Sequence, residues 1–218
     1  MAKNFISNSE TSTRMFKYGW MEALSKVHFS VPLIIYIPVI GFLCFKAISN
    51  GIAALAFSGY FIAGFLVWTI TEYLLHRYIF HYVPTSKIGL RLHFIFHGVH
   101  HDYPKDKLRL VMPPSASIPL ALLFYFLFSI VLHGAALYSF FAAFLLGYLT
   151  YDMMHYAMHH YTFKSGLMKR IKKHHMLHHY QDASKGYGVS SALWDKVFHS
   201  GFSGKEISEQ PGTQNEHA

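Results

Sequence analysis

The chain has 218 residues, enough for one domain; 52% are apolar and 14% are charged, against roughly a quarter charged in soluble proteins. A single cysteine, Cys44, excludes a disulfide framework and, lying in an apolar run, reads as packing material. The net charge of +8 comes without a nucleic-acid-binding motif, so nucleic acid is excluded as a partner; basic loops beside anionic headgroups account for the charge, with attraction of an acidic electron carrier as a secondary consequence.

Residues 1–26 are polar and mixed, show no secretory signal and are expected to form a cytosolic N-terminal segment. A membrane-embedded domain is expected over 27–202. Crossing the hydrocarbon takes about 20 apolar residues, within a range of about 17–25. Four spans meet that requirement. The first covers 28–48 and is expected to bend at Pro32 and Pro38, and the second covers 52–75. The third and fourth share the apolar stretch from Ala116 to Thr150, broken by a tight hairpin at His133-Gly134. Residues 203–218 read as a disordered tail.

Four spans put both termini and the 76–115 loop on one side. Lys3, Arg14, Lys17, Lys26, Arg77, Lys87, Arg91, Lys105, Lys107, Arg109 and the cluster from Lys164 to Lys173 all fall there, while the other side receives little more than Lys46. The positive-inside rule makes that shared side cytosolic. The expected fold is therefore all-α and integral to the membrane, with four transmembrane helices under a cytosolic helical cap.

Seventeen histidines are a high count, and thirteen of them lie within residues 76–101 and 155–179, both on the cytosolic side. They form four clusters: HRYIFH (His76, His81), HFIFHGVHH (His93, His97, His100, His101), HYAMHH (His155, His159, His160) and HHMLHH (His174, His175, His178, His179). Residues three and four apart share a helical face, so His97, His100 and His101 are expected to point one way, as are His175, His178 and His179. His76 and His81, five apart, are offset by about 140°, which suits a helix end fraying into a loop. Protonated rings so crowded would repel, and neutral ones would leave donors and acceptors unsatisfied. Metal ions resolve this. One ion takes about four to six ligands, so about ten histidines imply two ions, a histidine-rich dinuclear site.

The spacing His-x4-His, His-x2-His-His, His-x3-His, His-x2-His-His resembles that of the fatty acid hydroxylase superfamily of membrane non-haem metal enzymes. Within it, HGVHHDYPKDKLRLVMPP (97–114), YDMMHYAMHH (151–160) and KKHHMLHHYQDASKGYGVSSALWDKVF (172–198) are similar to the fatty acid 2-hydroxylases, and the likeness covers about 60–200. The resemblance implies ten ligands: His76, His81, His97, His100, His101, His155, His159, His175, His178 and His179. It implies O2-dependent hydroxylation of a lipid acyl chain at C2, in a fatty acid or the N-acyl chain of a sphingolipid, with no catalytic residue beyond the ligands. Iron is the expected catalytic metal; zinc is the competing occupant, because imidazole binds it more tightly than ferrous iron. Family members often carry a fused b-type cytochrome domain, for which this chain has no room. Electrons are therefore expected from a separate donor, a b-type cytochrome or a ferredoxin with its reductase, at a bacterial plasma membrane or the endoplasmic reticulum.

His93, His160 and His174 fall outside the ligand spacing and read as supporting or structural. Glu72, a turn before His76, and Asp152, three residues before His155, are each expected to accept a hydrogen bond from the far nitrogen of a ligand histidine, or else to snorkel to water. Tyr151 and Asp106 also match motif positions. Arg109 is a candidate for holding a lipid headgroup or carboxylate, with a loop salt bridge as the equal alternative. The other reactions open within the superfamily are sterol or carotenoid hydroxylation and desaturation. A metal transporter would instead place histidines near the middle of its spans.

Overall fold

The computed structural model describes residues 5–204 and 206, and among these every regular element is helical. The tail expected over 203–218 therefore lies almost wholly outside the described residues, as does Lys3. In chain order the helices are α1 (Gly19–Leu24), α2 (Ser30–Ser49), α3 (Ala54–Leu75), α4 (Lys87–His93), α5 (Val99–Asp102), α6 (Pro114–Ser129), α7 (Gly134–His160), α8 (Gly166–Tyr180) and α9 (Leu193–Val197).

Three stretches are long and apolar enough to cross a membrane: Ser30–Ser49, Ala54–Phe80 and Gly134–His160, with mean hydropathies of 2.2, 1.6 and 1.4. The third expected span, α6, is apolar but has only 16 residues, short of the roughly 20 that a crossing takes. α2 remains helical through Pro38. It stops at Asn50, whose side-chain amide donates to the Lys46 carbonyl, and Gly51 follows at φ 75° in the left-handed region. The expected break at His133-Gly134 is present, Gly134 having φ 55°. Beyond it α7 runs unbroken for 27 residues, so His155 and His159 sit on the spanning helix itself and not after it.

α7 is the axis of the fold. It packs along α2 and α3, and Phe141, Phe144, Leu145, Tyr148 and Leu149 bury their side chains against Tyr36, Leu43 and Trp68. α2 and α3 turn large apolar side chains outward instead: Ile34, Phe45, Leu55, Ile62 and Leu66 are all exposed. A soluble protein does not present such a belt; hydrocarbon covers it here. The chain is a membrane protein.

α3 and α7 approach closely because each offers a notch to the other. A Cβ on Gly64 would stand 2.0 Å from the Phe140 carbonyl oxygen, and one on Gly147 would meet Trp68 Cβ at 2.6 Å. Small residues at a helix contact are how membrane helices gain van der Waals packing where no hydrophobic drive separates them from lipid. Gly147→Val is expected to push Trp68 out of its site and destabilise the fold by about 1–3 kcal/mol or more. A thermal melt in detergent, compared with a substitution at lipid-facing Ile62, measures it.

Candidate metal centre

The five-residue spacing of His76 and His81 has a local cause. α3 does not fray at its end, as the sequence suggested; it widens into a π turn over His76–Phe80, closed by the bond from His81 N to His76 O at 3.1 Å. One wide turn brings residues five apart to the same side, and their Nε2 atoms lie 3.1 Å apart. A second π turn, Phe94–Gly98, carries His97 and runs directly into α5 with His100 and His101. α7 adds His155 and His159 from its end, and α8 adds His175, His178 and His179.

These ten side chains gather into two groups of five. His76, His81, His97, His101 and His178 form the first; His100, His155, His159, His175 and His179 form the second, all five of them buried. In each group, one nitrogen per ring lies within 4.8 Å of all the others. The triplets expected on single faces are thus divided between the groups. Residues four apart, His97 with His101 and His175 with His179, stay together, while His100 and His178, each about 100° from its neighbour, serve the opposite group. The rings of His101 and His179 stack at 4.2 Å and join the two.

In the first group the Nε2 atoms meet edge to edge. His76, His81 and His97 lie 3.1 Å from one another, and His97–His101 and His81–His178 are 3.0 Å apart. The Nδ1 atoms of His76 and His178 face the carbonyl oxygens of Tyr187, at 2.5 Å, and Lys185, at 2.7 Å. In the neutral rings those nitrogens carry the protons and donate them, so both Nε2 lone pairs turn inward. One proton on His81 cannot satisfy both of them. Nitrogens 3.0–3.1 Å apart are what ligands set at right angles about 2.1 Å from one ion would present.

The second group is left with unanswered nitrogens. Among the described residues, neither ring nitrogen of His100, His155 or His179 has a hydrogen-bond partner, nor has Nδ1 of His175. A buried polar atom in that condition costs about 1–3 kcal/mol, and a metal ion answers several such lone pairs at once. Burial, reinforced by neighbouring imidazoles, holds His97, His100, His101, His175 and His179 well below the usual histidine range. Burial likewise lowers His81 to about 2 and His178 to about 4. The rings are neutral at physiological pH, the form that binds metal. The residues fit two ions.

Several supporting residues act at one remove from their expected place. Glu72 reaches no imidazole: it accepts from the backbone N–H of Val189 (2.9 Å) and Ser190 (2.8 Å) and from the Ser190 hydroxyl. Asp195, which the sequence reading left unassigned, accepts from Tyr187 N (2.9 Å), Gly188 N (2.7 Å) and the Ser200 hydroxyl (2.8 Å), and pairs with His174 at 3.0 Å. Two carboxylates thus fasten the 185–190 loop whose carbonyls orient His76 and His178. The signal for Asp195 was its isolation, as the sole acid between residues 183 and 204. Asp152 likewise touches no histidine; it holds Met112 N (3.2 Å) and the Tyr148 hydroxyl (3.0 Å), tying the loop before α6 to α7. His93 and His160 join neither group, and His160 packs against Tyr156.

Arg109 takes the second of its two expected roles, the loop salt bridge. Its guanidinium donates to Thr13 O, Ser25 Oγ and Glu22 Oε1 and lies 3.5 Å from Asp106, so its fork is taken up by protein and not by a headgroup. These bonds lash residues 13–25 across the cap. The polar-looking N-terminal segment thereby supplies Phe16, Trp20, Met21 and Leu24 as one wall of a cavity of 690 Å³. The cavity is mostly apolar and runs to His97 of the first group and to His100 and His155 of the second. Tyr151 lines it too, its ring stacked 5.7 Å from that of His155.

The family model for fatty acid hydroxylases matches residues 61–200. Among curated proteins, the chain is similar to a dihydroceramide fatty acyl 2-hydroxylase of Arabidopsis thaliana, 36% identical over 186 residues, covering 85% of this chain and 78% of that one. It is also similar to the fatty acid 2-hydroxylase of Homo sapiens, 36% identical over 208 residues, covering 85% of this chain and 56% of that one. Among solved structures, the hydroxylase domain visible in full-length scs7p superposes with a TM-score of 0.81 at 37% identity, covering 85% of this chain and 70% of that chain.

Glu72→Ala is expected to release the loop and lower metal affinity about 10–100-fold, the usual cost of losing outer-shell support; metal content after dialysis against graded chelator reads it. A pH dependence follows from the neutral rings. Unfolded, they protonate below about pH 6.5; folded, they resist, so the unfolded state binds more protons and stability falls as pH drops through that range. The slope reaches about 1.4 kcal/mol per pH unit for each such ring. Melting of the metal-stripped protein between pH 7.5 and 5 measures it, and a flat profile would show that the rings are not held neutral.

Proposed function

The chain belongs to the fatty acid hydroxylase family, and from that membership we propose that it hydroxylates C2 of a lipid acyl chain, in a fatty acid or the N-acyl chain of a sphingolipid. The observation that carries this reading is the 690 Å³ apolar cavity ending on imidazoles of both histidine groups. Its size falls within the roughly 300–1,000 Å³ range of small-molecule sites, and its lining suits methylenes.

The ten histidines are the ligands, five to each ion, with iron in the catalytic state and zinc able to occupy the same nitrogens. Bound there, the metal pair supplies the activation of O2 for attack on an inert C–H bond. The protein supplies position. Phe80, Phe96, Leu120 and Leu123 exclude water and confine the chain, and the strap held by Arg109 closes one side. Tyr151 borders the acyl chain beside His155. The carbonyls of Tyr187 and Lys185 keep protons on Nδ1 of His76 and His178, reserving Nε2 for metal. No general base is needed.

The membrane arrangement we propose has four spans, α6 serving as a short third, with the basic loops, the cap and both termini cytosolic. Electrons then come from a separate cytosolic donor. The test is expression in a host lacking hydroxylated lipids, followed by mass spectrometry of total acyl chains. New 2-hydroxy chains, absent with His100→Ala, are expected. A hydroxyl at another carbon, or on a sterol supplied to the host, would replace this reading with another reaction of the superfamily.

A further inference from the structure

α8 has two unlike sides. At about 100° per residue, His175, His178 and His179 occupy one arc, and Lys169, Arg170 and Lys173 occupy an arc of similar width nearly opposite. The histidines are buried, while the three cations are exposed and make no ion pair or hydrogen bond among the described residues. Lys172 points elsewhere, donating to Tyr161 O at 2.8 Å. No acid occurs from residue 153 to 181. Lys169 and Lys173, four apart, and Arg170 and Lys173, three apart, are like-charge pairs that weaken a helix. An ordinary solvated face would intersperse acids; this one is built for an anionic partner.

We propose that this basic face of α8 is the landing surface for an acidic one-electron carrier protein. The inference rests on the hydroxylase reading: R–H + O2 + 2 e⁻ + 2 H⁺ gives R–OH + H2O, and the acyl chain does not supply the two electrons. Two one-electron deliveries do. α8 is suited to receive them because it contributes rings to both histidine groups, and a helix with its side chains is only about 10–12 Å across. A carrier docked on the outer arc therefore stands one helix width from both groups. Charge complementarity of this kind speeds encounter and makes it sensitive to salt.

The test uses the full chain in nanodiscs of neutral lipid, with two acidic probes, a soluble b-type cytochrome domain and a [2Fe–2S] ferredoxin. Binding is measured on metal-free and metal-loaded protein at several ionic strengths, alongside hydroxylation driven by a small chemical mediator. Wild type is expected to bind at least one probe in a salt-sensitive way. The triple variant K169E/R170E/K173E should bind it at least 10-fold more weakly, and the neutral K169Q/R170Q/K173Q by an intermediate factor, while mediator-driven hydroxylation stays within twofold. Binding of neither probe by wild type, or unchanged binding by the reversal variant, overturns the proposal. So does an effect of the reversal confined to discs containing anionic lipid, which would make α8 a headgroup contact. Absence of mediator-driven hydroxylation in wild type would count against the hydroxylase reading alone, since the binding data decide the docking surface separately.

Discussion

Gathering ten imidazoles, eight of them buried, leaves twenty ring nitrogens whose demands the surrounding helices meet only in part, and the cap is organised around that shortfall. Two carbonyl oxygens, of Tyr187 and Lys185, fix the proton on the outer nitrogens of His76 and His178. The loop that carries them has no regular structure, so its shape comes from Glu72 and Asp195, which together accept from the backbone at Tyr187, Gly188, Val189 and Ser190. Two carboxylates that touch none of the ten rings thus decide where two of them point. Behind them stands the bundle: Glu72 is placed by α3, and α3 is placed by its notched contact with α7.

The same economy shapes the cavity. Its inner end is made by imidazoles and Tyr151, its flanks by α6 and the 94–113 segment, and its remaining wall by a strap from far away in sequence. Arg109, Glu22 and Asp106 form a buried charged knot whose members satisfy one another and the strap's backbone. A charge cluster in this position is tolerable only because each group is paired; truncating one partner would strand the rest. Of the two roles open to Arg109 from sequence, the loop salt bridge is the one that fastens the strap.

Much of this is legible in the sequence. The apolar runs gave α2, the start and length of α3 and the break between α6 and α7 to within a few residues, while α7 continues ten residues past the expected end at Thr150. The ten histidines were legible as a set through the resemblance to the fatty acid hydroxylase superfamily, and eight of them, all but His76 and His81, also lie at helical intervals. Their division was not, since the face argument treats a triplet as pointing one way and does not foresee a helix with a centre on either side. The π turn at His76–Phe80 was hidden as well, because a five-residue spacing in a 3.6-residue helix reads as fraying. Backbone carbonyls leave no mark in a residue pattern, so the roles of Tyr187 and Lys185 had no signal. The apolar wall from Phe16 to Leu24 was masked by the lysines and glutamate around it.

The division of the two triplets bears on how such a chain can evolve. Because the 97–101 segment and α8 each contribute rings to both histidine groups, inserting or deleting one residue in either would rotate everything beyond it by about 100°. An insertion between His97 and His100 would bring the old His100 to the place of His101 and leave the place of His100 empty, so the second group loses a ring while the first keeps its number. A change of length that disturbs neither group is therefore confined to the connecting loops. The sequence is locked in register across both segments, as a screw thread is locked by its pitch.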